Sequence, residues 1–213
     1  MKKFSIPKHY ENRNPKIMEV VEQDMKEENE FHYLFIGSSS VGKKDFAKHI
    51  SNYLERPIIV NAIKLYDIIS KAHGNMWNEK TDNKIELERL MFTNNLVVTD
   101  LGKERYIHRD ANRMMSAFLL FRSGFVRRDT SIYNGKYYGT PHTIITTDIG
   151  FRPQDYLITE DKKHQRKPAF SCLCETYGQD IIESVARCFK VMIFNNIKNA
   201  KKENMVIIDD TED

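Results

Sequence analysis

Apolar residues along this chain recur with two different periods, and the switch from one to the other falls at glycines and polar runs. Ile17, Val20, Val21 and Met25 are spaced for one face of a helix, so a helix is expected over residues 16–30. The run FHYLFIG follows, rich in β-forming residues and closing on Gly37. From Lys43 onward Phe46, Ala47, Ile50 and Leu54 return to helical spacing. RPIIVNA reads as a buried strand, Ile63 to Ala72 as a helix, Ile85 to Phe92 as a helix and NNLVVTDLG as a second buried strand. Tyr106 to Phe121 is the next expected helix, with Ala111, Met114, Met115, Phe118 and Leu119 on one side. HTIITTD, a helix over Gln179 to Cys188, and the strand KVMIFN complete the series.

Five strands alternating with helices predict an α/β fold of three αβα layers, with a mostly parallel five-stranded sheet. Pro7 and Pro15 break the polar start, so residues 1–30 read as an arm and lead-in helix, 31–198 as the domain and 199–213 as a polar tail. No internal repeat interrupts this order.

Composition narrows the class. Hydrophobic content is 40% and charged content 30%, enough apolar material for a core in a chain of 213 residues. A net charge of +3 rules out a polycation, so any basic partner surface has to be local. There is no apolar run of about 18 residues, and MKKFSIPKHYENRNP has no apolar export core, so no membrane contact is expected and a cytoplasmic location is. Cys172, Cys174 and Cys188 then read as reduced thiols. Their C-x-C spacing, even with His164 nearby, does not match a zinc knuckle, and no metal site is expected there.

The chemistry concentrates at LFIGSSSVGKKD. Gly37, Ser38, Ser39, Ser40, Val41, Gly42 and Lys43 fit the frame G-x-x-x-x-G-K, placed after a strand and before a helix. Such a loop surrounds an anion with backbone N–H groups and a helix N-terminus, while the lysine reaches the outer phosphates of ATP or ADP. Lys44 stands where a Ser or Thr would hold Mg2+, and an ammonium is no metal ligand, which argues against Mg2+. LVVTDLG ends on Asp100, either facing the nucleotide or forming a turn. Thr147 and Asp148 end another inner strand and can sense a phosphate or cap a turn.

Arg122, Arg127, Arg128 and Lys136 mix with Phe125, Tyr133, Tyr137 and Tyr138 in FRSGFVRRDTSIYNGKYYGTPH. Basic groups can follow a phosphate backbone while the rings stack on unpaired bases, so this segment is a candidate single-stranded DNA surface. Asn134-Gly135 predicts a hairpin within it. Otherwise its tyrosines pack on their own domain. DKKHQRK, at 161–167, reads as a solvated basic loop, and Arg187 either reaches a neighbour's phosphate or pairs with Glu183 one helical turn away. Trp77, in a polar connection, is either a partner contact or a lid on the core.

In order, IPKHYEN, LFIGSSSVGKKDFAKHI, RPIIVNAIKL, LVVTDLG, TIITTD and VARCFKVMIFN resemble the AAA+ ATPases of the DnaC/DnaI helicase-loader and IstB group, over roughly residues 5–198. The resemblance implies a P-loop AAA+ domain that holds nucleotide at Gly37, Gly42, Lys43 and Lys44. It places the acidic strand end at Thr99 and Asp100, a sensor at Asp148 and a trans-acting arginine at Arg187. It also implies self-association through the nucleotide site, a replicative DNA helicase and single-stranded DNA as partners, or a transposase in the IstB branch. So compact a version fits a phage or mobile-element setting.

The chain departs from that pattern around one site. Thr99 stands at the first of two acids, Lys44 at the metal hydroxyl and Asp148 at a usual Asn, while FNNIKNAKK offers only Lys198, Lys201 and Lys202 for a late arginine. These departures predict, at most, a weak ATPase that still binds nucleotide. The competing readings are a transposition helper with steady turnover, a non-hydrolysing interaction module that regulates a helicase or loader and, least supported, a small-molecule kinase.

Overall fold

The computed structural model describes residues 4–11, 14–27, 30–37, 41–74, 82–104, 111–127, 132–133, 136–137, 141–150 and 172–194. Its centre is a five-stranded, all-parallel sheet in the order β2-β3-β6-β1-β7. These strands are β1 (His32–Ile36), β2 (Ile58–Asn61), β3 (Asn95–Leu101), β6 (His142–Thr147) and β7 (Lys190–Ile193). All five fall on the runs of β-formers expected from sequence; the inner strands β1, β3 and β6 are buried almost throughout, whereas β2, expected as a buried strand, lies at the sheet edge with Ile59 46% exposed. Every residue of β1 is buried.

Alternation along β1 divides the core in two. Tyr33 and Phe35 face α1 (Lys8–Glu11), α2 (Pro15–Glu27) and α3 (Lys43–Ser51), joining Tyr10, Ile17, Met18, Val21, Phe46 and Ile50. Leu34 and Ile36 share the other cluster with residues of α4 (Ala62–Gly74), α5 (Asp82–Phe92), α6 (Ala111–Arg127), α7 (Leu173–Tyr177) and α8 (Gln179–Ala186). Three layers result. The lead-in is packed onto the sheet rather than held apart from it: α1, which the prolines obscured in the sequence, buries Tyr10 to 5% exposure against the ring of Phe46, with centroids 4.8 Å apart.

The helix α6 runs six residues beyond Phe121, where the expected helix ended. Gly124 has open space around it, and Ser123 Oγ donates back to Leu120 O at 3.1 Å, so neither breaks the helix. Past α6, β4 (Ile132–Tyr133) and β5 (Lys136–Tyr137) pair antiparallel on either side of Asn134-Gly135, as the hairpin signal required. Among the described residues no helix is long and apolar enough to cross a membrane.

Candidate functional site

The C-terminal ends of β1, β6 and β3 lie side by side, with β6 in the middle, so the loop after β1 and the acids after β6 and β3 come together. Gly37 leaves β1 with its N–H donated to Thr147 O at 3.2 Å. A Cβ there would sit 2.9 Å from both Phe194 O and Val41 Cγ2, so only glycine fits. Gly42 closes the loop at φ +82°, a left-handed conformation that favours glycine, and no side chain caps the start of α3. A helix start without a side-chain cap can receive an anion. Tyr10 packs over Gly42, and its hydroxyl donates to Gly42 O at 3.3 Å. Ser38, Ser39 and Ser40 lie outside the described residues.

Lys43 begins α3 and is 4% exposed, and its Nζ donates to Asp148 Oδ1 at 2.5 Å. One residue on, Lys44 Nζ donates to Asp100 Oδ2 at 2.5 Å. A third ammonium, missed in the sequence, closes the cluster: Lys103 Nζ donates to Asp100 Oδ1 at 3.0 Å and stands 3.4 Å from Asp148 Oδ2. The three lysines and two aspartates therefore form one chain of ion pairs beside the Gly37–Lys43 loop.

Backbone geometry at the end of β3 builds this arrangement. The β3–β6 register shifts between Val98 and Leu101, and Asp100 sits at φ +62°. Aspartate is among the few residues that adopt this left-handed region readily. The irregularity returns Leu101 to the same core as Leu96 and Val98, while Asp100 is left half-buried toward the lysines. Asp100 N–H is held by Thr146 Oγ1 at 3.1 Å. Gly102 then turns at φ +96°, giving its N–H to Glu104 Oε2 at 2.9 Å, and this turn brings Lys103 back over Asp100. Glu104, fully buried, also accepts from the Tyr177 hydroxyl and ties the turn to α7.

The electrostatics follow from these contacts. Partial burial on its own would raise the Asp100 carboxyl, but hydrogen bonds and charge from Lys44 and Lys103 outweigh it and hold Asp100 below its ordinary value. Burial on its own would lower Lys103, and Asp100 and Asp148 raise it instead. Mg2+, the usual partner of phosphate at such a loop, does not fit these residues. Both oxygens of Asp100 already accept from ammonium groups, and the position of the metal-binding hydroxyl is Lys44.

The other candidates divide. Thr147 does not face the site: it is fully buried, its Oγ1 donating to Leu101 O at 2.8 Å. Thr99 is also buried, at 2% exposure. Arg122 is a correction to the DNA surface. It is 1% exposed, and its guanidinium donates to Thr143 Oγ1 at 2.9 Å, Met91 O at 3.0 Å and Asn94 O at 3.3 Å, at the opposite end of the sheet. Its spacing carried the signal, because Met115, Phe118, Leu119 and Arg122 form one helical stripe. Arg127 ends α6, and Tyr133, Lys136 and Tyr137 lie on the hairpin strands. Arg128, Tyr138, Trp77, His164 and the basic loop at 161–167 lie outside the described residues. Arg187 is exposed at the C-cap of α8, just before β7, at the sheet end remote from Lys43. Glu183, its expected partner, accepts instead from Gln179 Nε2 at 2.8 Å.

No protein-family model matches the chain, and no curated protein matches it.

Proposed function

We propose that the chain is a nucleotide-binding P-loop protein of the helicase-loader kind. It binds ATP or ADP at the Gly37–Lys43 loop and turns it over slowly or not at all. The bound state regulates contact with single-stranded DNA, a replicative helicase and further copies of the chain. The observation that carries the nucleotide reading is the position of the buried Lys43 at the first turn of α3, paired with Asp148, while the next residue, Lys44, pairs with Asp100 from the adjacent strand. The loader reading rests on the order of motifs in the sequence, and the DNA reading on Arg127, Arg128, Tyr133, Lys136, Tyr137 and Tyr138, with Arg122 removed.

The lysine pairing of Asp100 also favours a second reading, a non-hydrolysing module that regulates a helicase or loader by binding it. Mixing the purified protein with a replicative helicase tests both. The loader reading expects complex formation that depends on nucleotide and faster helicase loading on protein-coated DNA. Tight one-to-one binding indifferent to nucleotide supports the module. No binding and no effect on loading overturns both.

A further inference from the structure

A nucleotide's phosphate chain carries several negative charges, and a loop that binds it needs cations beyond one lysine. In most such sites Mg2+ supplies them, held by a hydroxyl at the start of the helix and an acid at a strand end. Here those two places are taken by Lys44 and by Asp100, and they are bonded to each other at 2.5 Å. Lys103 covers the second oxygen of Asp100 and reaches Asp148 as well. Seating a divalent ion on Asp100 would require stripping two ammonium groups from it and placing the ion among three. Without a metal, the cluster's three ammonium groups exceed its two carboxylates by one positive charge, on the side of the loop where phosphate binds.

Building on the nucleotide reading above, we infer that this loop binds a nucleoside di- or triphosphate without a divalent cation, Lys44 and Lys103 standing in the metal's place. Binding is an exchange of partners: a phosphate oxygen takes Lys43 from Asp148, and Lys103, already 3.4 Å from Asp148 Oδ2, retains the displaced carboxylate. Asp148 thus competes with the ligand for the same ammonium group. The ammonium groups and the N–H groups at the start of α3 together supply the recognition, and no covalent bond is made or broken.

The test is a titration with a fluorescent ATP analogue, in Mg2+ and in EDTA, on the wild type, Lys43→Ala, Lys44→Thr and Asp148→Asn, each checked for folding by thermal melting. The wild type is expected to bind equally in both buffers, within about threefold, and Lys43→Ala to lose binding. Lys44→Thr restores a metal-binding hydroxyl and frees an Asp100 oxygen, so its affinity in EDTA is expected to fall about tenfold below that in Mg2+. Asp148→Asn removes the competitor and is expected to tighten binding in both buffers. Wild-type binding that vanishes in EDTA overturns the inference and leaves the nucleotide reading standing. Absence of binding in both buffers, or binding unaffected by Lys43→Ala, overturns the two together. Weaker binding by Asp148→Asn overturns the exchange, and this arm remains readable if Lys44→Thr does not fold.

Discussion

Arg122→Ala is expected to destabilise the protein and to leave any affinity for single-stranded DNA unchanged. The guanidinium is 1% exposed and donates to Thr143 Oγ1 and to the backbone carbonyls of Met91, in the last turn of α5, and of Asn94, just before β3. Truncation leaves those acceptors without this donor and opens a cavity beneath α6. A hydrogen bond from a charged group contributes about 1.5–3 kcal/mol, and removing one partner of a buried polar set costs more than the bond itself returns. Relief from burying a cation offsets part of this. Burial pulls the arginine below its ordinary pKa, with Glu30 opposing. A net loss of about 3 kcal/mol remains, which for a chain of this size lowers the melting temperature by roughly 6–12 °C. Urea denaturation followed by circular dichroism measures the first quantity and a thermal melt the second. Arg122→Lys keeps the charge on a single donor group and should fall between wild type and Arg122→Ala. A loss under about 1 kcal/mol, or a folded variant whose affinity for single-stranded DNA drops, would refute the buried, structural role.

Three further outcomes are expected. His142 stacks on Phe31 at 4.1 Å and accepts from Phe31 N–H at 3.3 Å; burial, helped by His32 and Arg122 against Glu30, pulls it down to about 4. The unfolded chain takes up that proton near the ordinary 6.5, so stability is full above this pH and falls by about 3 kcal/mol on descent toward 4; denaturation at several pH values in wild type and His142→Asn should show the dependence shrink in the variant. Gly102→Ala puts a side chain at φ +96° with its Cβ 2.2 Å from Ile149 Cδ1, and should cost about 1–3 kcal/mol in urea unfolding. Tyr10→Ala removes the ring packed between Gly42 and Phe46, and should cost about 3 kcal/mol by the same assay; an effect near zero would return α1 to the status of a loose arm.

The sheet was legible because strands buried on both faces leave a run such as LVV or TII that no exposed helix would carry. The loop frame and the two strand-end aspartates were legible for a related reason: ligands of parallel α/β sheets gather at the C-terminal ends of strands, and Asp100 and Asp148 stand at two of those ends. Sequence does not show how charges pair across a fold. Lys103 lies three residues past Asp100, but its return over the carboxylate depends on the left-handed turns at Asp100 and Gly102. Short α1 was hidden because a four-residue helix between prolines has no period to detect; its place is set by tertiary packing of Tyr10. Arg122 misled because composition was weighed over spacing: the residue belongs to the apolar stripe of α6, and its charge is satisfied by carbonyls distant in sequence.

The proposed function depends on phosphate binding at the Gly37–Lys43 loop. Isothermal titration of ATP into the wild type and into Lys43→Ala tests it most directly. Saturable one-site binding by the wild type and none by a folded variant is expected. Equal heats from both proteins, or none from the wild type, would contradict it.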